Sequence, residues 1–210
     1  LPYGNDKLQV HGKANLGYDT NARGGSGSGS LELGYRNVGL RLHGMYTKGG
    51  DYRTAEYILN NTGYNTISVS GVLGYKSRRI EVDLSSSLYY QRSGIYYASK
   101  ISDLDQLIKR FEYGRPDPST LHPFSYDIKP PFQQSQHFTL KGELKWNIND
   151  NHKLTLTASF QENLRQEFEN RKKVEWSWVP MQDLILKTYK VDAQWNAKWR
   201  LWNMSTDVGT

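Results

Sequence analysis

The chain has 210 residues, with 27 Lys and Arg against 21 Asp and Glu for a formal net charge of +6, a balance that suits an anionic partner without selecting one. The absence of cysteine excludes a disulfide framework, a thiolate metal site and a cysteine nucleophile, and no apolar run approaches the roughly 18 residues of a membrane-spanning helix. A mean hydropathy of −0.74 does not exclude the membrane, because a closed β-barrel alternates apolar and polar residues and gives only a weak signal per segment.

Period-two alternation begins at once. From Lys7 to Tyr18, Leu8, Val10, Ala14, Leu16 and Tyr18 alternate with Gln9, His11, Lys13, Asn15 and Gly17, over the roughly 9 to 11 residues a tilted spanning strand needs. Asn21 to Gly29 reads as a glycine-rich connection. Leu31, Leu33 and Tyr35 then share one face, the chain turns near Asn37, and Val38, Leu40, Leu42 and Tyr46 face away from Arg41, His43 and Thr47. A longer connection, Lys48 to Gly63, carries Tyr52, Arg53, Tyr57 and the turn-forming Asn60 to Gly63. Strand four has Ile67, Val69, Leu73 and Tyr75 on one parity. After the basic turn Lys76 to Arg79, strand five sets Ile80, Val82, Leu84, Leu88 and Tyr90 against Glu81, Asp83, Ser85, Ser87 and Gln91.

The longest connection runs from Arg92 to Gln136. Within it Ser102 and Asp105 have the spacing of a capping box, and Leu104, Leu107, Ile108 and Phe111 fall at helical intervals, so one short helix is expected inside the loop. Phe138, Leu140, Leu144 and Trp146 define the next strand, Asn147 to Asn151 a short turn, and Leu154, Leu156, Ala158 and Phe160 its partner. After a charged connection come Ile185, Tyr189, Val191, Ala193 and Trp195, a turn near Ala197, and a last strand with Trp202, Met204, Thr206 and Val208.

These residues describe an all-β antiparallel chain of about nine strands in which short and long connections alternate. That inequality is the pattern of an outer-membrane barrel, with short turns on the periplasmic rim and long loops outside. Tyr18, Tyr35, Tyr46, Tyr75, Tyr90, Trp146, Trp195 and Trp202 near strand ends fit interfacial girdles. The competing architecture is a soluble β-sandwich with its aromatics inside. In a barrel, Arg41, His43, Glu81, Asp83, Lys141, Glu143, Lys153 and Thr155 line the lumen, facing a plug or a pore.

Five stretches carry a resemblance: LGYDTNARGGSGS from Leu16, GGDYRTAEYILNNTGYN from Gly49, RSGIYYASKISDLDQL from Arg92, HPFSYDIKPPFQQSQH from His122 and FQENLRQEFENR from Phe160. In this order the chain resembles the barrel domain of TonB-dependent outer-membrane receptors of the Bacteroidetes type. The resemblance implies a 22-stranded barrel around an N-terminal plug, with residues 1–210 forming an N-terminal part of the barrel domain and the plug and remaining strands lying outside them. It also implies an outer-membrane location, contact with the TonB complex through the plug, contact with outer-membrane lipid or lipopolysaccharide, and uptake of a small-molecule solute, foremost a ferric siderophore or related iron chelate. It implies no nucleic acid, cofactor or enzymatic reaction. The alternatives are uptake of a peptide, cofactor or glycan, or a surface receptor or structural barrel that transports nothing.

Aromatic and basic loop residues are the candidates for solute contact: Tyr52, Arg53, Arg92, His122 and Tyr126, with Arg110 and Arg115 adding to the positive field. Their other reading is packing, with aromatics fixing the loop to the rim and prolines setting its path. The separation of His122 and His137 is not by itself a metal-ligand spacing. Gly24 to Ser30, GGSGSGS, lacks the Lys-Ser/Thr of a phosphate loop, and the scattered Asp, Glu, Ser and His residues make no sequence-local catalytic arrangement.

Overall fold

A computed structural model describes residues 1–4, 6–99, 101, 103–113, 116–117, 121–201 and 204–209, the last stretch and residues 199–201 by their backbone alone. Nine long strands form one antiparallel sheet in chain order: β1 (Gln9–Asp19), β2 (Gly24–Tyr35), β3 (Val38–Gly49), β6 (Tyr64–Lys76), β7 (Ile80–Gly94), β8 (Phe132–Asn147), β9 (His152–Phe168), β10 (Gln182–Leu201) and β11 (Met204–Gly209). Between β3 and β6, a two-stranded ribbon pairs β4 (Tyr52–Arg53) with β5 (Ile58–Leu59). Among the described residues no helix is long and apolar enough to cross a membrane.

One rim carries the connections 36–37, 77–79 and 148–151; the other carries 20–23, 50–63, 95–131 and 169–181. The alternation of short and long therefore holds except at the first connection. Gly24 to Ser30, expected as a linker, is the first half of β2, paired from Gly24 against Asp19 and on its other side from Gly25 against Lys48. Glycine and serine at alternate positions leave the backbone ladder intact while concealing the apolar–polar period by which a strand is read. The true turn is shorter, and its Asp19 carboxylate accepts a hydrogen bond from the Asn21 amide at 2.9 Å.

Strand pairing keeps one parity on each face from β1 to β10. Val10, Leu33, Leu40, Leu73, Leu84, Leu144, Leu156 and Val191 share the apolar face; His11, Glu32, Arg41, Ser70, Ser87, Lys141 and Thr155 share the other. Among the described residues no second layer covers the apolar side: Leu16 is 93% exposed, Val191 84% and Leu84 50%. The buried hydrophobic residues among those described are Ala22, Ala98, Phe132, Phe168 and Ala197, none belonging to a continuous core. A soluble sandwich buries such a face between two sheets; here one large sheet leaves it uncovered.

The apolar face is also banded. Tyr35, Tyr75, Trp146 and Trp195 stand toward the short rim, and Tyr46, Tyr90 and Tyr189 toward the long one. From Val82 to Tyr90 the band spans about nine residues, the length of one tilted crossing. Beyond it toward the long rim the same face turns polar at Lys48, Asn65, Arg92 and Gln134, so the strands outrun the apolar band.

In the long connection, α1 (Leu104–Tyr113) forms as its spacing predicts. Its N-cap bond comes from Asp103, whose carboxylate accepts the Gln106 amide at 2.9 Å. The expected capping residue Ser102, like Arg115 and Trp202, lies outside the described residues.

Candidate functional site

The polar face is divided into two zones by its side chains. Toward the short rim, charges neutralise one another across three strands: Lys141 Nζ lies 2.9 Å from Glu143, Lys145 Nζ 2.7 Å from Glu143 and 3.2 Å from Glu81, and Lys76 Nζ 2.9 Å from Glu81. Arg41 pairs with Glu32 across β2 and β3 at 2.7 Å. His43 stands in register between Ser30 and Ser70. Of the lumen candidates, Arg41, Glu81, Lys141 and Glu143 are thus ion-paired with neighbours on the wall, and Asp83 accepts a hydrogen bond from the Tyr3 hydroxyl at 3.1 Å.

That last bond belongs to a segment that sequence reading missed. Residues Leu1 to Gly4 cross the polar face transversely over a lateral row of three glycines, Gly34, Gly39 and Gly74, which are in register on β2, β3 and β6. A Cβ on Gly39 would stand 2.8 Å from the Leu1 Cβ, and side chains on Gly34 and Gly74 would collide with Pro2 and Tyr3. The Gly4 amide donates to the Arg36 carbonyl at 2.8 Å, and the Lys76 ammonium stands 5.9 Å from the centre of the Tyr3 ring. Burial, then the charge and hydrogen bond of Asp83, push the Tyr3 phenol up to about 12. Each glycine alone looks unremarkable in sequence; only strand register aligns them.

Toward the long rim the polar face carries amides and hydroxyls. Gln91, Ser93, Gln133, Ser135, Asn163 and Arg165 share this face and line a cavity of about 350 Å³. The Tyr89 hydroxyl donates to Gln91 at 2.9 Å, His137 lies within hydrogen-bond distance of Asn163 and Thr139, and Arg165 is paired with Glu167 at 2.8 Å. The chemistry offered is neutral hydrogen bonding with one compensated cation, suited to a solute rich in hydroxyl, carbonyl or amide groups. The polar alternation of β7, β8 and β9 carries this surface in sequence.

The loop candidates occupy separate surroundings. Arg92 has apolar-face parity, stacks its guanidinium over Phe132 at 3.9 Å and donates to the Ile128 carbonyl at 3.0 Å. Phe132 in turn stacks on Phe168 at 4.1 Å and packs against Trp178. Tyr126 is on the same side of the rim, its hydroxyl donating to the Arg23 carbonyl at 2.8 Å and its ring 5.8 Å from the Lys48 ammonium. His122 is exposed, its ring edge-on to Tyr97 and its backbone held at both ends by Asn60. Tyr52 stacks on Tyr64, which lies across Gly49 on the polar face. Arg53 is exposed, its backbone clasped by the Asn21 amide in both directions.

What binds these loops together is a buried polar hub. Asp51, 1% exposed, accepts the Thr62 amide at 3.0 Å and the Ser125 amide at 3.1 Å. Asn60 bonds to the His122 carbonyl at 2.9 Å; Asn61 bonds to the carbonyls of Ile95 and Pro131 and accepts the Lys129 amide. Asn61 sits at a positive φ of 64°, which asparagine tolerates better than most residues. Residues 121–131 thereby become a fixed strap over the tops of β3, β6 and β7. Nearby, Tyr97 has its phenol pushed up by burial and then by Asp51 and Asp127. The pair Asn60-Asn61 reads in sequence as a turn; its role as a double clamp depends on partners far away in the chain.

Among the described residues no group of three or more His, Asp or Glu is placed to hold a metal ion. Compared with protein-family models, curated proteins and solved structures, the chain matches none.

Proposed function

We propose that this chain is part of the wall of an outer-membrane uptake barrel of the TonB-dependent kind, with its apolar face in lipid and its polar face toward the lumen. The observation that carries the reading is the uncovered apolar band of a single antiparallel sheet, flanked by aromatic rows and lying between a rim of short turns and one of mostly longer loops. The resemblance adds the 22-stranded closure, the plug and the TonB contact. In this reading residues Leu1 to Gly4 run on the lumenal side, where a plug would sit, and the paired charges of Glu81, Glu143, Lys141 and Lys145 face it.

The resemblance favours a ferric siderophore or related iron chelate as the solute. The amide and hydroxyl cavity of Gln91, Gln133, Ser135 and Asn163 favours a second reading, uptake of a neutral, hydrogen-bonding solute such as a peptide or glycan. The ion-paired lower wall leaves little free positive charge to attract an anionic chelate. Uptake of labelled solutes by cells carrying the full receptor, with and without TonB, tests both. Iron-chelate uptake that depends on receptor and TonB supports the first solute; TonB-dependent uptake confined to neutral solutes supports the second. Uptake indifferent to the receptor rejects transport and leaves a surface receptor or structural barrel.

A further inference from the structure

On the apolar face, β2 drops its side chains where its neighbours keep theirs. Gly25, Gly27 and Gly29 occupy successive outward positions, flanked across β1 by Tyr18, Leu16 and Ala14 and across β3 by Lys48, Tyr46 and Gly44. The result is a groove along the strand, about two strand spacings or roughly 10 Å between its walls beside Gly25 and Gly27, opening at Gly29, where Ala14 and Gly44 leave it without walls. Leu16, at 93% exposure, forms one wall and Tyr46 the other, and the open depression between them has a volume of about 610 Å³. At the long-rim end the lining changes to Arg23, Lys48 and Tyr126.

The two cations there are presented for binding. The Arg23 guanidinium lies 4.4 Å from the centre of the Phe124 ring and the Lys48 ammonium 5.8 Å from that of Tyr126, contacts that orient a cation without neutralising it. Neither has an ion-pair partner among the described residues. Arg23 also has a left-handed φ of 46°, held there by the Asp19 turn and by the strap bond from Tyr126 to its carbonyl. An apolar slot ending in two uncompensated cations is complementary to a molecule with an acyl chain and an anionic headgroup.

We propose that this groove binds one acyl chain of a phosphorylated outer-leaflet lipid of the lipid A class, with Lys48 and Arg23 holding a phosphate. The assignment rests on the outer-membrane reading, in which the long rim faces outward and the cations lie at headgroup level above the apolar band. Glycine supplies the floor because any side chain at position 25 or 27 would fill the slot. The strap bearing Tyr126 and Phe124 fixes the headgroup end, so the hub at Asp51 would make lipid binding depend on loop order.

The test is lipid retention by the full-length receptor, delipidated in detergent and titrated with lipid A, dephosphorylated lipid A, phosphatidylglycerol or inorganic phosphate, and read by native mass spectrometry. The expected result is preferential retention of lipid A, weakened about tenfold or more by the double substitution Lys48→Gln with Arg23→Gln and separately by Gly27→Leu. A leucine Cβ at position 27 would meet the Leu16 side chain at an ordinary 3.5 Å, so this variant fills the groove without a backbone clash, and retained heat-modifiable migration checks its folding. Equal retention of phosphatidylglycerol or dephosphorylated lipid A, inorganic phosphate held as tightly as lipid A, or lipid A retention unchanged by either variant overturns the site. Flotation of the receptor with liposomes separates the two levels: failure to float rejects the membrane reading, whereas flotation without lipid selectivity rejects the groove alone.

Discussion

Asp51 and Ser125, 74 residues apart, hold each other twice: the Ser125 amide donates to the Asp51 carboxylate at 3.1 Å, and the Asp51 amide donates to the Ser125 carbonyl at 3.0 Å. The side-chain half also takes the Thr62 amide, so one buried carboxylate joins the 50–63 connection to the strap at 121–131. Asp51→Ala leaves those amides without acceptors, at about 1 to 3 kcal/mol for each buried group left unsatisfied. Hydrogen exchange at Thr62 and Ser125 is expected to accelerate by tenfold or more while the β7–β8 ladder stays protected. Unchanged exchange at Ser125 contradicts the hub.

Arg92 is expected to behave as a packing residue. Its removal strips the cation from Phe132 and Trp178 and the donor from Ile128, a loss of about 1 to 2 kcal/mol. Arg92→Ala should therefore loosen residues 128–132 and 174–178 in limited proteolysis, while solute affinity changes less than twofold at a temperature where the loops stay folded. A large affinity loss with intact loops restores Arg92 to the solute-contacting set.

The Tyr3 phenol gives the N-terminal segment a pH signature. Folding raises it from its ordinary value near 10 to about 12, so the folded protein holds this proton more tightly than the unfolded chain. The stabilisation is full below pH 10 and is lost as pH rises through 12. The difference in phenolate absorbance between the native protein and Tyr3→Phe should show a midpoint near pH 12, and the Gly4 amide should lose protection over the same range. A midpoint near 10 means that the segment is not seated on the glycine row.

A charge in the middle of the apolar band should be costly, and one residue away it should not. Leu156→Arg puts a guanidinium on the face proposed to meet lipid, at about 2 to 4 kcal/mol, whereas Thr155 has the opposite parity and tolerates Thr155→Arg with less than about 1 kcal/mol. Denaturant titration in lipid vesicles measures both. Equal costs contradict the assignment of faces.

How much of this was legible follows from where each signal resides. Ile80, Val82, Leu84, Leu88 and Tyr90 reveal β7 because period two is a local property, and Leu104, Leu107, Ile108 and Phe111 reveal α1 for the same reason. Gly24 to Ser30 concealed half of β2, since residues without apolar contrast carry no phase. The Gly34, Gly39 and Gly74 row and the Asp51, Asn60 and Asn61 hub were illegible, being defined by lateral register and by partners dozens of residues away. Tyr126 and Arg92 were recognisable as contact-making residues, but only strand parity and their neighbours show that they face the side of the rim shared with the apolar band.

In the proposed arrangement one face of this sheet meets lipid and the other does not. Spin labels at Leu84, Leu156 and Val191, and at Asp83, Thr155 and Asp192, in the full-length protein in bilayers test it through collisions with oxygen, which concentrates in the hydrocarbon. High oxygen accessibility is expected at the first three positions and low accessibility at the second three, alternating residue by residue within β7, β9 and β10. Accessibility that fails to follow this parity, or water-like accessibility at all six, would contradict it.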